Sequence, residues 1–100
     1  MASVAKNKES GVSVVRDLVI GNKLGLHARP AAMFVRVANR FASDIQVEKD
    51  GEEINGKSIM GLMLLAAGCG SHLKVTATGG DANEMIQALE ELIARKFDEV

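Results

Sequence analysis

The sequence predicts an open-faced sandwich of the α+β class, with three helices covering one face of a four-stranded sheet. Three observations predict it. Apolar residues alternate with period two in separated segments, an Asp50-Gly51 pair divides two of those segments, and apolar residues at helical spacing follow Pro30, Ser58 and Asp81. The implied order is strand, helix, strand, strand, helix, strand, helix.

Met1 to Gly11 is polar and charged, with Lys6, Lys8 and Glu9, and it lacks the apolar core of a secretory signal. Residues 1–11 therefore read as a flexible tail ahead of a single domain, residues 12–100. From Val12 to Ile20, the positions Val12, Val14, Leu18 and Ile20 share one side of a strand pattern that Arg16 interrupts. Gly21 to Gly25 follows as a loop.

Proline has a φ suited to helix and no N–H, so it is tolerated in the first helical turn and not deeper. Pro30 accordingly marks a helix start, and the helix carries Phe34, Val37, Ala38 and Phe41 on one side with Arg36 and Arg40 on another. Ile45, Val47 and Lys49 alternate ahead of Asp50-Gly51, a pair that accepts the positive φ values of a tight hairpin, and Glu52 to Asn55 returns as a short strand. Ser58 is placed to cap a second helix from Ile59 to Ala67, ended by the glycines of Gly68-Cys69-Gly70. Leu73, Val75 and Ala77 alternate as the last strand. Asp81 and Glu84 suggest an acidic capping box, and Met85, Leu89, Leu92, Ile93 and Phe97 form the stripe of a final helix.

Composition excludes several function classes. Of 100 residues, 47% are hydrophobic and only 3% aromatic, so the core is aliphatic and methionine-rich. A net charge of −1 argues against a domain that neutralises nucleic-acid phosphates, and the strands lack aromatics on which bases would stack. No run approaches the roughly 20 apolar residues of a membrane span. Cys69 is the single cysteine, which forbids an intrachain disulfide and makes the cytoplasm the expected location. Cys69 and His72 form a Cys-X2-His pair, but two ligands without a second pair predict no metal site, and no cofactor is expected.

The chemistry concentrates in Gly25-Leu26-His27-Ala28-Arg29-Pro30. With the helix dated by Pro30, His27 falls at or just before its cap, beside free backbone N–H groups and the positive end of the helix dipole. That environment favours the neutral, nucleophilic ring, while a phosphoryl group on it would meet backbone donors and the planar fork of Arg29. The second helix supplies a different signal. Ile59, Met60, Leu62, Met63, Leu64 and Leu65 are apolar nearly all the way round, although a small sandwich buries one side only. Leu62, Leu65 and Ala66 form the expected buried stripe, which leaves Ile59, Met60 and Met63 as an exposed patch for a partner. Ser58 reads both as a cap and as a phosphorylation site whose charge would sit beside that patch.

These two segments carry a resemblance. Gly25 to Ala31 is similar to the active-site signature, and Lys57 to Met63 to the regulatory-serine signature, of HPr, the histidine-containing phosphocarrier family of the bacterial sugar phosphotransferase system. The resemblance runs from about Val12 through the last helix and implies the βαββαβα open-faced sandwich with an antiparallel sheet. It implies that His27 accepts phosphate at Nδ1 from enzyme I, with Arg29 assisting, and passes it to an enzyme IIA component. Phosphoenolpyruvate would be the ultimate donor, and the protein a carrier, not an autonomous catalyst. Ala32, Arg36, Arg40, Ile59, Met60 and Met63 match partner-docking positions, and Ser58 matches the serine modified by an HPr kinase/phosphorylase. A monomer without nucleic-acid or membrane partners is expected. A nitrogen-related carrier, or a regulatory module acting through Ser58 as in relatives lacking the histidine, are the alternatives. The tail before Val12 is longer than usual for the family, and Cys69 stands where relatives often have a polar residue.

Overall fold

The computed structural model describes residues 12–99. The expected tail, residues 1–11, lies outside the described residues. The elements run β1 (Ser13–Val19), α1 (Ala28–Ala38), β2 (Asp44–Lys49), β3 (Glu52–Asn55), α2 (Ile59–Leu64), β4 (His72–Thr78) and α3 (Ala82–Ala94), closed by a 3-10 turn at Lys96–Asp98. The strands form one antiparallel sheet in the order β1-β4-β2-β3. This is the predicted open-faced sandwich.

Period two decides which side chains reach the core. Leu73, Val75 and Ala77 of β4, Ile45 and Val47 of β2 and Leu18 of β1 are buried beneath the helices, where they meet Phe34, Leu62, Met85, Ile86, Leu89 and Leu92. Truncating the fully buried Phe34 to alanine costs about 3–5 kcal/mol by analogy with similar cores. Asp50 and Gly51 both take positive φ, 51° and 86°, as the β2–β3 turn requires. Arg16 breaks the alternation of β1 for a visible reason. It stands opposite Val75, on the helix side of an edge strand, and its Nε meets Glu90 Oε2 of α3 at 3.3 Å. An edge position lets a charged head reach solvent where a central strand would not. Val12, expected on the buried side, is exposed ahead of β1.

Four local expectations are corrected. Helix α1 ends at Ala38, so Phe41 and Arg40 lie beyond its Asn39 C-cap; the Arg40 guanidinium sits 5.9 Å from the Phe41 ring centroid. Helix α2 stops at Leu64 and not at Ala67, and Ala66, with φ +51°, turns out to solvent and leaves the buried stripe to Leu62 and Leu65. Asp81 caps α3 by position only. Its carboxylate reaches away from the helix to accept from the Ala42 and Ser43 N–H groups, each at 2.9 Å, and from the Ser43 hydroxyl. Phe97 does not extend α3, because Lys96, Phe97 and Asp98 all adopt left-handed φ between 54° and 57°. Phe97 nonetheless stays fully buried, and the backbone reverses around it.

Candidate phosphohistidine site

Residues 20–27 connect β1 to α1, and backbone hydrogen bonds tie this connection to the segment between α2 and β4. Ile20 N–H donates to Ser71 O at 2.9 Å, Gly70 N–H to Ile20 O at 2.7 Å and Leu26 N–H to Ala67 O at 2.8 Å. Gly25 takes φ +74°, and a Cβ there would meet Ala67 O at 2.5 Å. Only glycine allows both the conformation and that approach. Leu26 is buried behind the loop and pins it to the core.

His27 is the N-cap of α1, in extended conformation, and makes no side-chain capping bond. Its carbonyl accepts the first helical hydrogen bond from Ala31 at 2.9 Å, so the amides of Ala28 and Arg29 lie ahead of the intrahelical ladder. Pro30, third in the helix and buried, has no amide to leave unsatisfied. The His27 side chain is 42% exposed, and its Nε2 lies 3.3 Å from Glu99 Oε2. Hydrogen bonding from Asn22 is the main influence holding the Glu99 carboxyl below its ordinary value; partial burial opposes it and the His27 contact reinforces it.

Arg29 does not contact the ring. Its Nη2 donates to Phe97 O and its Nη1 to Met33 Sδ, each at 3.2 Å. A guanidinium has five N–H donors, so three remain for an anion without breaking either bond. His27 lines two clefts, one with Lys23, Leu24, Arg29, Asp98 and Glu99, and a second with Leu24, Met63 and Ala67 among others. The fold thus brings His27, Arg29 and Met63 to one surface.

The remaining expected residues divide. Ser58 caps α2, its Oγ accepting from Gly61 N–H at 2.9 Å, and is half-buried. Ile59, Met60 and Met63 are exposed, as the patch reading requires, and so are Leu64 and Leu24, at 69% and 71%. Ala32 is half-buried on α1, whereas Arg36 and Arg40 are exposed toward the end of that helix and just past it. Cys69 and His72 engage different partners. The thiol faces Gly21 O at 3.8 Å, and His72 Nδ1 meets Asp17 Oδ2 at 2.7 Å across β4 and β1.

Sequence reasoning missed Leu24 and Leu64 of this surface, and the Asn22–Glu99 pair that reaches the ring. Leu24 belongs to a segment that the sequence marks only as loop, and its exposure is visible in the structure alone. Asn22 and Glu99 carried no local signal, because their partnership spans 77 residues of chain.

Residues 14–95 match the family described as "PTS HPr component phosphorylation site". The phosphocarrier protein HPr of Treponema pallidum is 45% identical over 86 residues, covering 86% of this chain and 98% of that protein. The HPr-like protein Crh of Bacillus subtilis is 54% identical over 78 residues, 78% of this chain and 88% of that one. Among solved structures, HPr-C-His from Thermoanaerobacter tengcongensis superposes with a TM-score of 0.83 at 49% identity, covering 87% of this chain and 98% of that one. Sequence match, fold and helix-start histidine agree: the chain belongs to the HPr family of phosphocarriers of the phosphotransferase system.

Proposed function

We propose that His27 is the phosphoryl acceptor of this carrier, taking the group from the phosphohistidine of enzyme I and passing it to an enzyme IIA component. The observation that carries this is the placement of His27: an N-cap side chain that is exposed and uncommitted to capping, beside an arginine with spare donors. Phosphoryl transfer asks for in-line placement and stabilisation of spread charge, and a few fixed groups supply that. A helix start stabilises an anion by only ~0.3–1 kcal/mol when exposed, or about 2 when sheltered, which holds the phosphoryl group without trapping it.

Docking falls to the apolar surface formed by Ile59, Met60 and Met63, joined by Leu24 and Leu64, with Ala32, Arg36 and Arg40 along α1. Methionine-rich patches adapt to more than one partner, as a carrier with a donor and an acceptor needs. The protein acts as a cytoplasmic monomer, and residues 12–100 are its working domain. Among the described residues, no helix is long and apolar enough to cross a membrane.

Incubation with enzyme I and phosphoenolpyruvate should yield one acid-labile phosphate per chain, lost in His27→Ala. A chain left unlabelled by several competent enzyme I preparations refutes the proposal. The place of Ser58 at the start of α2, beside exposed Ile59 and Met60, favours a second reading, regulation through Ser58 by an HPr kinase/phosphorylase. Labelling by ATP and that kinase, lost in Ser58→Ala while His27 labelling persists, supports it. Restoration of a nitrogen-regulatory rather than a sugar-uptake phenotype separates the two branches of the carrier role.

A further inference from the structure

The C-terminal turn brings to the His27 ring a group that the helix start does not supply. Glu99 Oε2 stands 3.3 Å from His27 Nε2, and the same oxygen accepts from Asn22 Nδ2 at 2.9 Å. Asn22 is buried, and its Nδ2 also donates to Gly25 O at 2.7 Å. Both N–H groups of the amide are therefore committed to oxygens, which fixes its orientation: turned over, its own oxygen would face two acceptors. Asn22 Oδ1 is left buried with no hydrogen-bond partner among the described residues. An unpaired buried acceptor is unfavourable, so the arrangement persists because the donor side is held toward Gly25 and Glu99.

We infer that Asn22 and Glu99 are positioning residues for His27: Asn22 aims the Glu99 carboxylate, and the carboxylate keeps the ring proton on Nε2, presenting the Nδ1 lone pair to the phosphoryl donor. An ionised carboxylate only accepts, so its contact with Nε2 is a hydrogen bond only when Nε2 carries the proton. In the neutral ring Nδ1 is then the unprotonated nitrogen. A contact of 3.3 Å is long for such a bond, and bonds of this kind tighten when the partner complex forms.

The inference rests on the proposed acceptor role of His27, and the step balances. The Nδ1 lone pair forms the new N–P bond while the donor's N–P bond breaks and its electron pair returns to the donor's ring nitrogen. The His27 ring, having given a pair and kept its Nε2 proton, becomes cationic, and Glu99 is its counter-ion. Onward transfer reverses both changes. Lys23, Arg29, Asp98 and Glu99 line one cleft with His27, and Lys96 lines an adjoining one with Glu99, so cations stand within the same surface as the ring and its counter-ion.

The test uses the full chain labelled with 15N and reads the His27 ring nitrogens under conditions where the ring is neutral. The Nε2–H form should dominate in the wild type, and Glu99→Ala should raise the Nδ1–H form several-fold. Asn22→Ser should move it the same way by less. Glu99→Ala should also slow labelling by enzyme I and shorten the lifetime of the phosphohistidine, each several-fold. Unchanged ring-nitrogen shifts in a folded Glu99→Ala overturn the inference, as does faster labelling, which would make Glu99 a screen against anions. If Asn22→Ser does not fold, Glu99→Ala decides alone, since Glu99 follows the last turn. The ring-nitrogen result needs no enzyme I, so failure of the wild type to be labelled would refute the carrier role separately.

Discussion

Helices α1 and α2 both begin on a residue that could carry a phosphate, and the two starts are built in opposite ways. Ser58 turns its hydroxyl onto its own helix, accepting from Gly61 N–H, and is half-buried there. His27 takes the same N-cap position in the same extended conformation but turns its ring away, leaving the first amides to themselves. The hydroxyl of Ser58 is part of what holds α2 together, whereas the ring of His27 holds nothing in its own helix. A side chain that stabilises its element is hindered as a shuttle, and one that does not is free to gain and lose a group. A permanent cap suits slow regulatory modification by a dedicated enzyme, and an open start suits repeated transfer.

The largest expected effect tests that contrast directly. His27→Ala should abolish acid-labile labelling while leaving the thermal midpoint close to wild type, because no capping bond is lost; a marked fall in the midpoint would break the comparison. Gly25→Ala comes next. It forces a side chain against Ala67 O in a left-handed backbone conformation, shifts the loop bearing His27, and should slow phosphotransfer by about 100-fold, the scale of a misplacement near 1 Å. Rapid-quench labelling measures it, and an unaltered rate would show that the hooked loop does not position the ring.

Asp81 sharpens the comparison from the third helix start, where the carboxylate serves Ala42 and Ser43 in place of its own helix. The Ser43 hydroxyl, then the Ala42 N–H, hold its carboxyl below the ordinary 3.8. A carboxyl lowered on folding contributes stability that is complete above its unfolded value and drains away as the pH falls through the folded one. Glu99 shifts in the same direction, below 4.5. Asp81→Asn should therefore lower stability by about 1–2 kcal/mol near neutrality, partly unpairing the buried Ser43, and should flatten the acid limb of the stability curve below about pH 4. Urea midpoints across that range check it; an unchanged acid limb counts against it. The smallest effect is Ser58→Ala, a loss of about 1 kcal/mol from the missing cap with His27 labelling intact. Ser58→Asp should keep the cap and weaken docking at the neighbouring Ile59 and Met60, measurable as a rise in KM for enzyme I at unchanged kcat.

Much of the fold was legible because its signals are local. Alternation at Ile45 and Val47 or at Leu73, Val75 and Ala77 reports a half-buried strand without reference to anything distant. Asp50-Gly51 announces its turn, and Pro30 announces the start of α1. Helix ends are less legible. Apolar residues continue through Ala66 and Ala67, yet the chain leaves α2 at Leu64 to meet Gly25, and Phe97 continues the stripe of α3 on a backbone that has already reversed. In both places a buried side chain is needed where helix geometry would not deliver it, and packing overrides periodicity.

The sequence by itself determined the element order, most of the buried faces, the helix start at His27, the cap at Ser58 and the surplus apolar face of α2. Each depends on residues within one or two turns of each other, where sterics, capping and periodicity act. Only the tertiary structure decided what surrounds the ring. Glu99 reaches His27 from 72 residues away, Arg29 bonds to the Phe97 carbonyl from 68 away, and buried Asn22 joins the loop before α1 to Glu99. Such contacts arise when the core closes around Phe97 and turns the C-terminal segment back over α1, and no local pattern encodes where a distant segment will land.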